Sequence, residues 1–452
     1  MPLPDLIEIV PLAEPVGAEI TVPGSKSITN RTLILAALAG GETKLEGALW
    51  SEDTQVMVEA LQKLGFEVKV ALDPEEFCNR TITVHGLGGR IPNGGTPEKL
   101  LELFVGNAGT AARFLSAFVC LGHGVCRLHG VPRMHERPQG ALFQALRELG
   151  YVVECEGNKL PAVIHGAGPK PGACSVSIAE SSQFASALLL CAEAGGWSVR
   201  VVGEDAEESS YVEMTRRLIQ AFPKRGGTVQ IEPDASSGSY FWAAGWLQPK
   251  SAFRQVNERS ALVSSDGAKV RVDTRAEREF PSCRVRAWPT SGWQIDSRFP
   301  NFLPPPTTLS RQSDLGDSIM TAIVLAPFHA ESVRFTDLGR LRLQECERVL
   351  ALRTELTKCG AKVMETGDTL EVFPSALHGA EIETYHDHRL AMCFAILGLK
   401  VPGLRLKNPA CVKKTFPNFF QKLAVPPPGG LGATILDAAT RRPLSLGELF
   451  AE

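Results

Sequence analysis

Three stretches of the chain carry a helix-like apolar run, a glycine and a short β-like run in succession. They are Ala60-Leu61-Gln62-Lys63-Leu64-Gly65-Phe66-Glu67-Val68, Ala145-Leu146-Arg147-Glu148-Leu149-Gly150-Tyr151-Val152-Val153 and Leu356-Thr357-Lys358-Cys359-Gly360-Ala361-Lys362-Val363. A glycine after the last helical turn supplies the left-handed residue that ends a helix, and β-branched residues then open a strand. The recurrence predicts a repeated α/β module. A second pattern sets polar residues immediately before apolar helices. Pro23-Gly24-Ser25-Lys26-Ser27 leads into a helix over 28–39, Gly106-Asn107-Ala108-Gly109-Thr110 into one over 111–121, and Glu180-Ser181-Ser182-Gln183 into one over 184–194. Asp314-Leu315-Gly316-Asp317-Ser318 and Tyr385-His386-Asp387-His388-Arg389 open two more. Free N–H groups and the positive end of the helix dipole make each start an anion site. Capping alone explains any single start; the set, with its Lys and Arg, points to small polyanionic ligands. Residues 250–289 and 301–308 read as irregular, and the stretch after Val425, beginning Pro426-Pro427-Pro428-Gly429-Gly430, as a semi-extended appendage.

At 452 residues the chain is long enough for two or three cores. A net charge of −3 argues against a generally basic nucleic-acid binder. No apolar run nears the ~18 residues of a membrane span, and Met1-Pro2-Leu3-Pro4-Asp5 lacks the basic start of a secretory signal. The 11 cysteines are scattered without a Cys-x-x-Cys pair, the usage expected of reduced thiols in the cytoplasm. Cys120, Cys126, Cys155, Cys191 and Cys393 sit in apolar contexts and are expected in the core.

Candidate chemistry starts at Lys26. Ser27 and Arg31, four residues apart, share a helical face and could grip one phosphate with it. The segment fails the G-x-x-x-x-G-K-[ST] phosphate loop, because Ser25 precedes Lys26. Glu345 and Arg348 fall at i,i+3 in a stretch read as helical, which suits either an exposed ion pair of little value or an acid held beside a ligand-binding cation. His386-Asp387-His388-Arg389 could suggest a metal site, but residues two apart on a helix do not face each other, so a polar cap with Arg389 aimed at an anion is preferred.

Taken together these segments resemble the enolpyruvyl transferases, within them those that act on shikimate-3-phosphate. The matching pieces are Pro23-Gly24-Ser25-Lys26-Ser27-Ile28-Thr29-Asn30-Arg31, Gly106-Asn107-Ala108-Gly109-Thr110-Ala111-Ala112-Arg113, Glu136-Arg137-Pro138, Ser181-Ser182-Gln183-Phe184, Asp317 before Met320-Thr321-Ala322, Glu345 with Arg348, Asp387-His388-Arg389-Leu390-Ala391-Met392, and Lys413-Lys414-Thr415-Phe416-Pro417. They follow the family's order over residues 20–424. The resemblance implies an α/β fold of two globules, an inside-out α/β barrel with three repeated units in each, that closes on its ligands. The first globule would hold 1–21 and 241–425, the second 22–240, with 426–452 as a C-terminal tail.

By the same resemblance, shikimate-3-phosphate would be bound by Lys26, Ser27, Arg31, Ser181, Ser182, Gln183, Tyr211, Asp317 and Gln344. Phosphoenolpyruvate would be bound by Lys26, Asn107, Gly109, Arg137, Gln183, Arg348, Arg389 and Lys414. Asp317 would be the base, Glu345 the acid, and Lys26 the stabiliser of developing charge. No metal or cofactor, nucleic acid or membrane is implied; a cytoplasmic monomer, inhibited by glyphosate, is expected. Three positions depart from the family pattern on the shikimate-phosphate side: Gln344 where Lys is usual, Arg340 where Asn is usual, and Glu208 where Ser is usual. Phe114, after Arg113, is a further departure, expected to alter packing behind Gly109. The span from Ser291-Gly292-Trp293-Gln294 to Asp317 is shorter than usual, and 250–289 longer. A sibling transferase for UDP-amino sugars would place a reactive Cys near Glu136-Arg137-Pro138, and none occurs between Cys126 and Cys155. A non-catalytic ligand-binding relative would have no reason to keep Lys26, Asp317 and Glu345 together.

Overall fold

The computed structural model describes residues 3–203, 206–248 and 283–451, with the backbone alone at 206–209. Glu208, by its side chain, and most of the 250–289 segment thus lie outside the described residues. The buried apolar residues fall into two cores. One runs from Ile28 to Ile231; the other joins Leu3 through Val22 to Tyr240 through Ala451. The chain crosses between Val22 and Ile28 and returns between Ile231 and the helix Ala235–Leu247, whose Tyr240 and Phe241 already belong to the other core. The return therefore precedes the expected boundary at 240. The two crossings lie side by side: Ser25 N–H donates to the Glu232 carbonyl at 2.8 Å and Asp234 N–H to that of Pro23 at 2.8 Å.

Each lobe is built on one plan. In the first-described lobe one sheet orders its strands Gly227–Gln230, Gly40–Leu49, Asn79–Leu87 and Val68–Leu72, and a second orders Leu101–Phe104, His123–His129, Ala162–Ala167 and Val152–Cys155. The other lobe repeats this with Glu381–Ile382, Leu404–Lys407, Leu6–Ile9 and Ile435–Asp437, and with Thr308–Ser310, Val333–Thr336, Thr369–Val372 and Val363–Thr366. In all of these sheets the first pair is parallel and the others antiparallel. A parallel two-stranded pair completes each lobe, Gly172–Ser177 with Trp197–Val202 and Ala18–Ile20 with Cys283–Val285.

The helix–glycine–strand segments take the form the sequence predicts. Gly65, Gly150 and Gly360 have φ of +92°, +83° and +92°, a region that a side chain disfavours, and the strands that follow are sheet edges. Three helices fill each lobe: Lys26–Leu38, Gly109–Phe118 and Ser182–Gly195 in one, Ala235–Leu247, Ile319–Leu325 and His388–Gly398 in the other. Their apolar residues face all round, so sheets outside and helices inside is the arrangement that buries them.

The C-terminal residues differ from expectation. Instead of an appendage, Ile435–Asp437 pairs with Leu6–Ile9, and Leu431, Ala433, Leu444, Leu449 and Ala451 enter the core. Composition after Val425 misleads because the prolines and glycines shape a turn back onto the lobe: a Cβ on Gly430 would lie 2.2 Å from the Val425 carbonyl oxygen. Below the crossings the buried Glu76 carboxylate of one lobe accepts from Lys422 Nζ at 2.6 Å and from Asn418 Nδ2 at 2.7 Å in the other, and from Thr21 Oγ1 at 2.7 Å.

Candidate active site

The central helices of both lobes aim their N-termini at one cavity of about 120 Å³. Lys26 is the first residue of its helix and its Nζ pairs with Asp53 at 3.1 Å. Arg31, buried one turn on, donates to the Ser27 carbonyl at 2.8 Å, to Thr215 Oγ1 at 2.7 Å and to Ser186 Oγ at 3.1 Å. Its guanidinium lies 5.3 Å from the Phe114 ring centre, so Phe114 packs behind the Lys26 helix start. Ser181 caps its helix by accepting from Gln183 N–H at 3.2 Å, and Gln183 Nε2 reaches Thr110 Oγ1 at 3.4 Å. Arg137 crosses Gly109 so closely that a Cβ there would stand 2.6 Å from its Nη2. It also donates to the Asn107 carbonyl at 3.2 Å.

The acidic residues face these from the other lobe. Asp317 lies 3.2 Å from Arg311 Nη2, 3.2 Å from Arg389 Nη2 and 3.9 Å from Arg348 Nη1. Burial favours its neutral form, but those guanidiniums outweigh burial and hold it well below the usual carboxylate range. Glu345 is opposed the same way: burial raises it, while Arg348 at 2.7 Å and Lys414 at 2.9 Å bring it well below its ordinary value. The Glu345–Arg348 pair is thus no surface pair; the Arg348 side chain is 1% exposed. Nor is the stretch before Arg348 helical as expected. Gly339–Leu343 is a 3-10 turn, and the α-helix starts at Arg348, which frees Glu345 to point into the cleft. Behind it Asp387, cap of the His388–Gly398 helix, binds Arg348 at 2.6 and 3.1 Å.

The cavity wall takes in Lys26, Ser27, Arg31, Arg137, Ser181, Ser182, Gln183, Tyr211, Asp317, Gln344, Glu345 and Arg389. Asn107, Gly109, Arg348 and Lys414 stand one layer behind, the first two against Arg137 and the last two on Glu345. Sequence reasoning missed Arg311, Arg113 and His388, which also line the cavity. Arg311 and Arg113 lie within matching segments or near them, but only tertiary contact shows their direction. His388 is buried, neither ring nitrogen has a hydrogen-bond partner, and burial holds it well below its ordinary value. Among the described residues no group of three or more His, Cys, Asp or Glu is placed to hold a metal. Cys120, Cys126, Cys191 and Cys393 are buried as expected, whereas Cys155 is only half-buried.

The sequence model of EPSP synthase (3-phosphoshikimate 1-carboxyvinyltransferase) matches residues 12–423. The 3-phosphoshikimate 1-carboxyvinyltransferase of Nostoc punctiforme is 37% identical over 92% of this chain and 98% of its own. That of Opitutus terrae is 38% identical over 94% of this chain and 98% of its own. The chain belongs to the EPSP synthase family. Solved structures add the fold alone: EPSP synthase from Acinetobacter baumannii superimposes with a TM-score of 0.64 at 20% identity over 95% of this chain and 99% of that one. The enolpyruvyl transferase NikO from Streptomyces tendae gives 0.63 at 14% identity over 95% and 98%. Both are two-lobed inside-out α/β folds, as here. Within this EPSP synthase frame the departures at 344 and 340 are both engaged. Gln344 Oε1 accepts from Arg348, and Arg340 donates to the Ile178 carbonyl at 2.8 Å.

Proposed function

We infer that the chain transfers the enolpyruvyl group of phosphoenolpyruvate to the 5-hydroxyl of shikimate-3-phosphate and releases phosphate, the step that leads toward chorismate and the aromatic amino acids. The observation that carries the chemistry is the pairing of two carboxylates, Asp317 and Glu345, with a shell of buried cations in one cavity. Phosphoenolpyruvate concentrates a phosphate and a carboxylate in a few atoms, and Lys26, Arg137, Arg348, Arg389 and Lys414 are the groups we assign to it, with Gln183, Asn107 and the close approach at Gly109. The Ser27, Ser181 and Ser182 hydroxyls, Gln183, Tyr211 and Gln344, with Lys26, Asp317 and Arg31 behind Ser27, are assigned to shikimate-3-phosphate.

In this mechanism Asp317 accepts the hydroxyl proton as the oxygen attacks C2, while Glu345 gives a proton to C3, yielding a tetrahedral intermediate. Lys26 and the helix N-termini stabilise its phosphate and carboxylate oxygens. The C2–O bond to phosphate then breaks as a C3 proton returns to Glu345, and the proton held by Asp317 passes to the departing phosphate, which restores both carboxyl groups. The ionised state of Glu345 fits this cycle: phosphate and carboxylate of the ligand compete for Arg348 and Lys414, and with them drawn away burial raises Glu345 toward its acid form. We further assign a cytoplasmic, monomeric protein; among the described residues no helix is long and apolar enough to cross a membrane.

Steady-state phosphate release from purified protein with both substrates tests the reading. Release dependent on both, and inhibition by glyphosate relieved by excess phosphoenolpyruvate, is expected. Binding of both substrates without release would instead assign a ligand-binding relative.

A further inference from the structure

A second groove lies outside the active site, with a volume of about 450 Å³, inside the range of roughly 300–1,000 Å³ typical of small-molecule sites. Trp50, Glu52, Phe77 and Arg80 wall it from one lobe, Lys413 and Phe450 from the other. The walls are tied together beside the crossings by buried Glu76, the neighbour of Phe77, which accepts from Lys422 and Asn418. Phe77 is 59% exposed, and its ring meets that of Phe450 edge-on at 5.3 Å. The Arg80 guanidinium lies 5.7 Å from the Trp50 ring centre and 5.8 Å from that of Phe77. Its Nη1 donates to the Phe77 and Asn79 carbonyls at 2.7 and 2.6 Å. Among the described residues Nε and Nη2 make no hydrogen bond and no carboxylate pairs with the group. Arg80 is thus a half-buried charge without a counter-ion, and burial draws its pKa below the ordinary value. Glu52, exposed, puts one acid on the same groove. The next residue on each wall belongs to an active-site ion pair. Glu52 is followed by Asp53, which holds Lys26 at 3.1 Å, and Lys413 by Lys414, which holds Glu345 at 2.9 Å.

We propose that this groove binds a free aromatic amino acid and that its occupation weakens the binding of phosphoenolpyruvate. The carboxylate of the amino acid takes the open Nε and Nη2 edge of Arg80, a two-pronged match that a guanidinium offers. The ammonium faces Glu52, and the ring packs on Phe77 and Phe450. The effect on the reaction has a physical route. An occupant that spans both walls favours their present arrangement, in which Lys26 stays on Asp53 and Lys414 on Glu345, whereas phosphoenolpyruvate must draw those lysines to itself. The proposal rests on the functional reading above for the identity of that second ligand; the occupant of the groove follows from the groove's own walls.

The test titrates the full chain by calorimetry with L-phenylalanine, L-tyrosine and L-tryptophan. L-alanine, 3-phenylpropionate and phenethylamine serve as probes that lack the ring, the ammonium and the carboxylate in turn. Saturable binding of at least one aromatic amino acid at a single site, about tenfold tighter than any of the three truncated probes, is expected. Arg80→Met, which keeps the apolar stem and removes the donors, is expected to weaken it about tenfold. Phe77→Ala, at an exposed position, is expected to weaken it as well and stands in should Arg80→Met fail to fold. In phosphate release the amino acid is expected to raise KM for phosphoenolpyruvate about fivefold and then reach a plateau, while Arg80→Met keeps the basal rate and loses the effect. No binding, binding that survives both variants, or equal binding of 3-phenylpropionate would overturn the site. A KM that climbs without a plateau would put the amino acid in the active site and overturn it too, and an unchanged KM would overturn its action on the reaction. Binding of the amino acid to a wild-type protein that releases no phosphate would keep the site and sink the reaction instead.

Discussion

Glu345, which we assign as the acid, is held ionised in the structure, so that assignment requires the ligand to change its surroundings. In the structure it sits between Arg348 and Lys414, and their charge overrides burial to keep it ionised. On that assignment phosphoenolpyruvate, with its phosphate and carboxylate, recruits those cations and leaves the burial, so the carboxyl is expected to gain a proton as the ligand binds. The sign follows: a group whose pKa rises on binding takes up protons, so the complex tightens as pH falls. Calorimetry of phosphoenolpyruvate binding in the presence of shikimate-3-phosphate, run in buffers of different ionisation enthalpy, measures that uptake. Glu345→Gln is expected to abolish the protein's share of it, retain binding of both ligands and lower kcat by at least about 100-fold. Equal proton uptake by wild type and variant would place the proton elsewhere.

At the scale of elements the recurring unit is a polar residue capping an apolar helix that points into the cleft, and Asp387 serves two purposes in one such unit. Its carboxylate accepts Arg389 N–H at 2.9 Å as a helix cap and grips Arg348 at 2.6 Å. Asp387→Asn separates the two, because Asn caps as well as Asp while the buried guanidinium loses its counter-charge. Loss of one partner from a buried pair costs about 3 kcal/mol, so denaturant unfolding should shift by that order and KM for phosphoenolpyruvate should rise. An unshifted transition with unchanged KM would mean Arg348 draws its support from Glu345 and Asp317 alone. The same elements explain what was legible in the sequence. The helices beginning at Lys26, Gly109, Ser182 and His388 were readable because each sets a polar head against an apolar run and closes near glycine. The Ala235–Leu247 helix is a sixth member that went unread, although Asp234 caps it at 2.7 Å and Ser236 meets Arg389. The turn before Arg348 read as helix from i,i+3 spacing, whereas Arg342 leaves the helical path to pair with Glu347, Glu365 and Asp368. Arg311 was invisible because its partner, Asp317, is set by the fold of a loop and by no local spacing.

The whole molecule places a cationic cavity inside an acidic protein. Net charge is −3, yet among the described residues seven lysines and arginines line the cavity against three carboxylates. A low-dielectric cleft between two lobes focuses that field toward the mouth, where an anionic substrate arrives from solvent. Repulsion by the outer surface is weak in comparison, because its charges are dispersed and screened beyond about 10 Å at 0.1 M salt. A ligand seated among these paired, buried groups is reached poorly by salt. Ionic strength should therefore act on capture and leave the chemical step alone. Raising KCl from about 0.02 to 0.3 M is expected to increase KM for phosphoenolpyruvate about fivefold with kcat nearly constant. A kcat that falls in parallel would mean that the ion pairs around Asp317 and Glu345 remain open to solvent during turnover, and that burial shields less of the site than its contacts in the structure indicate.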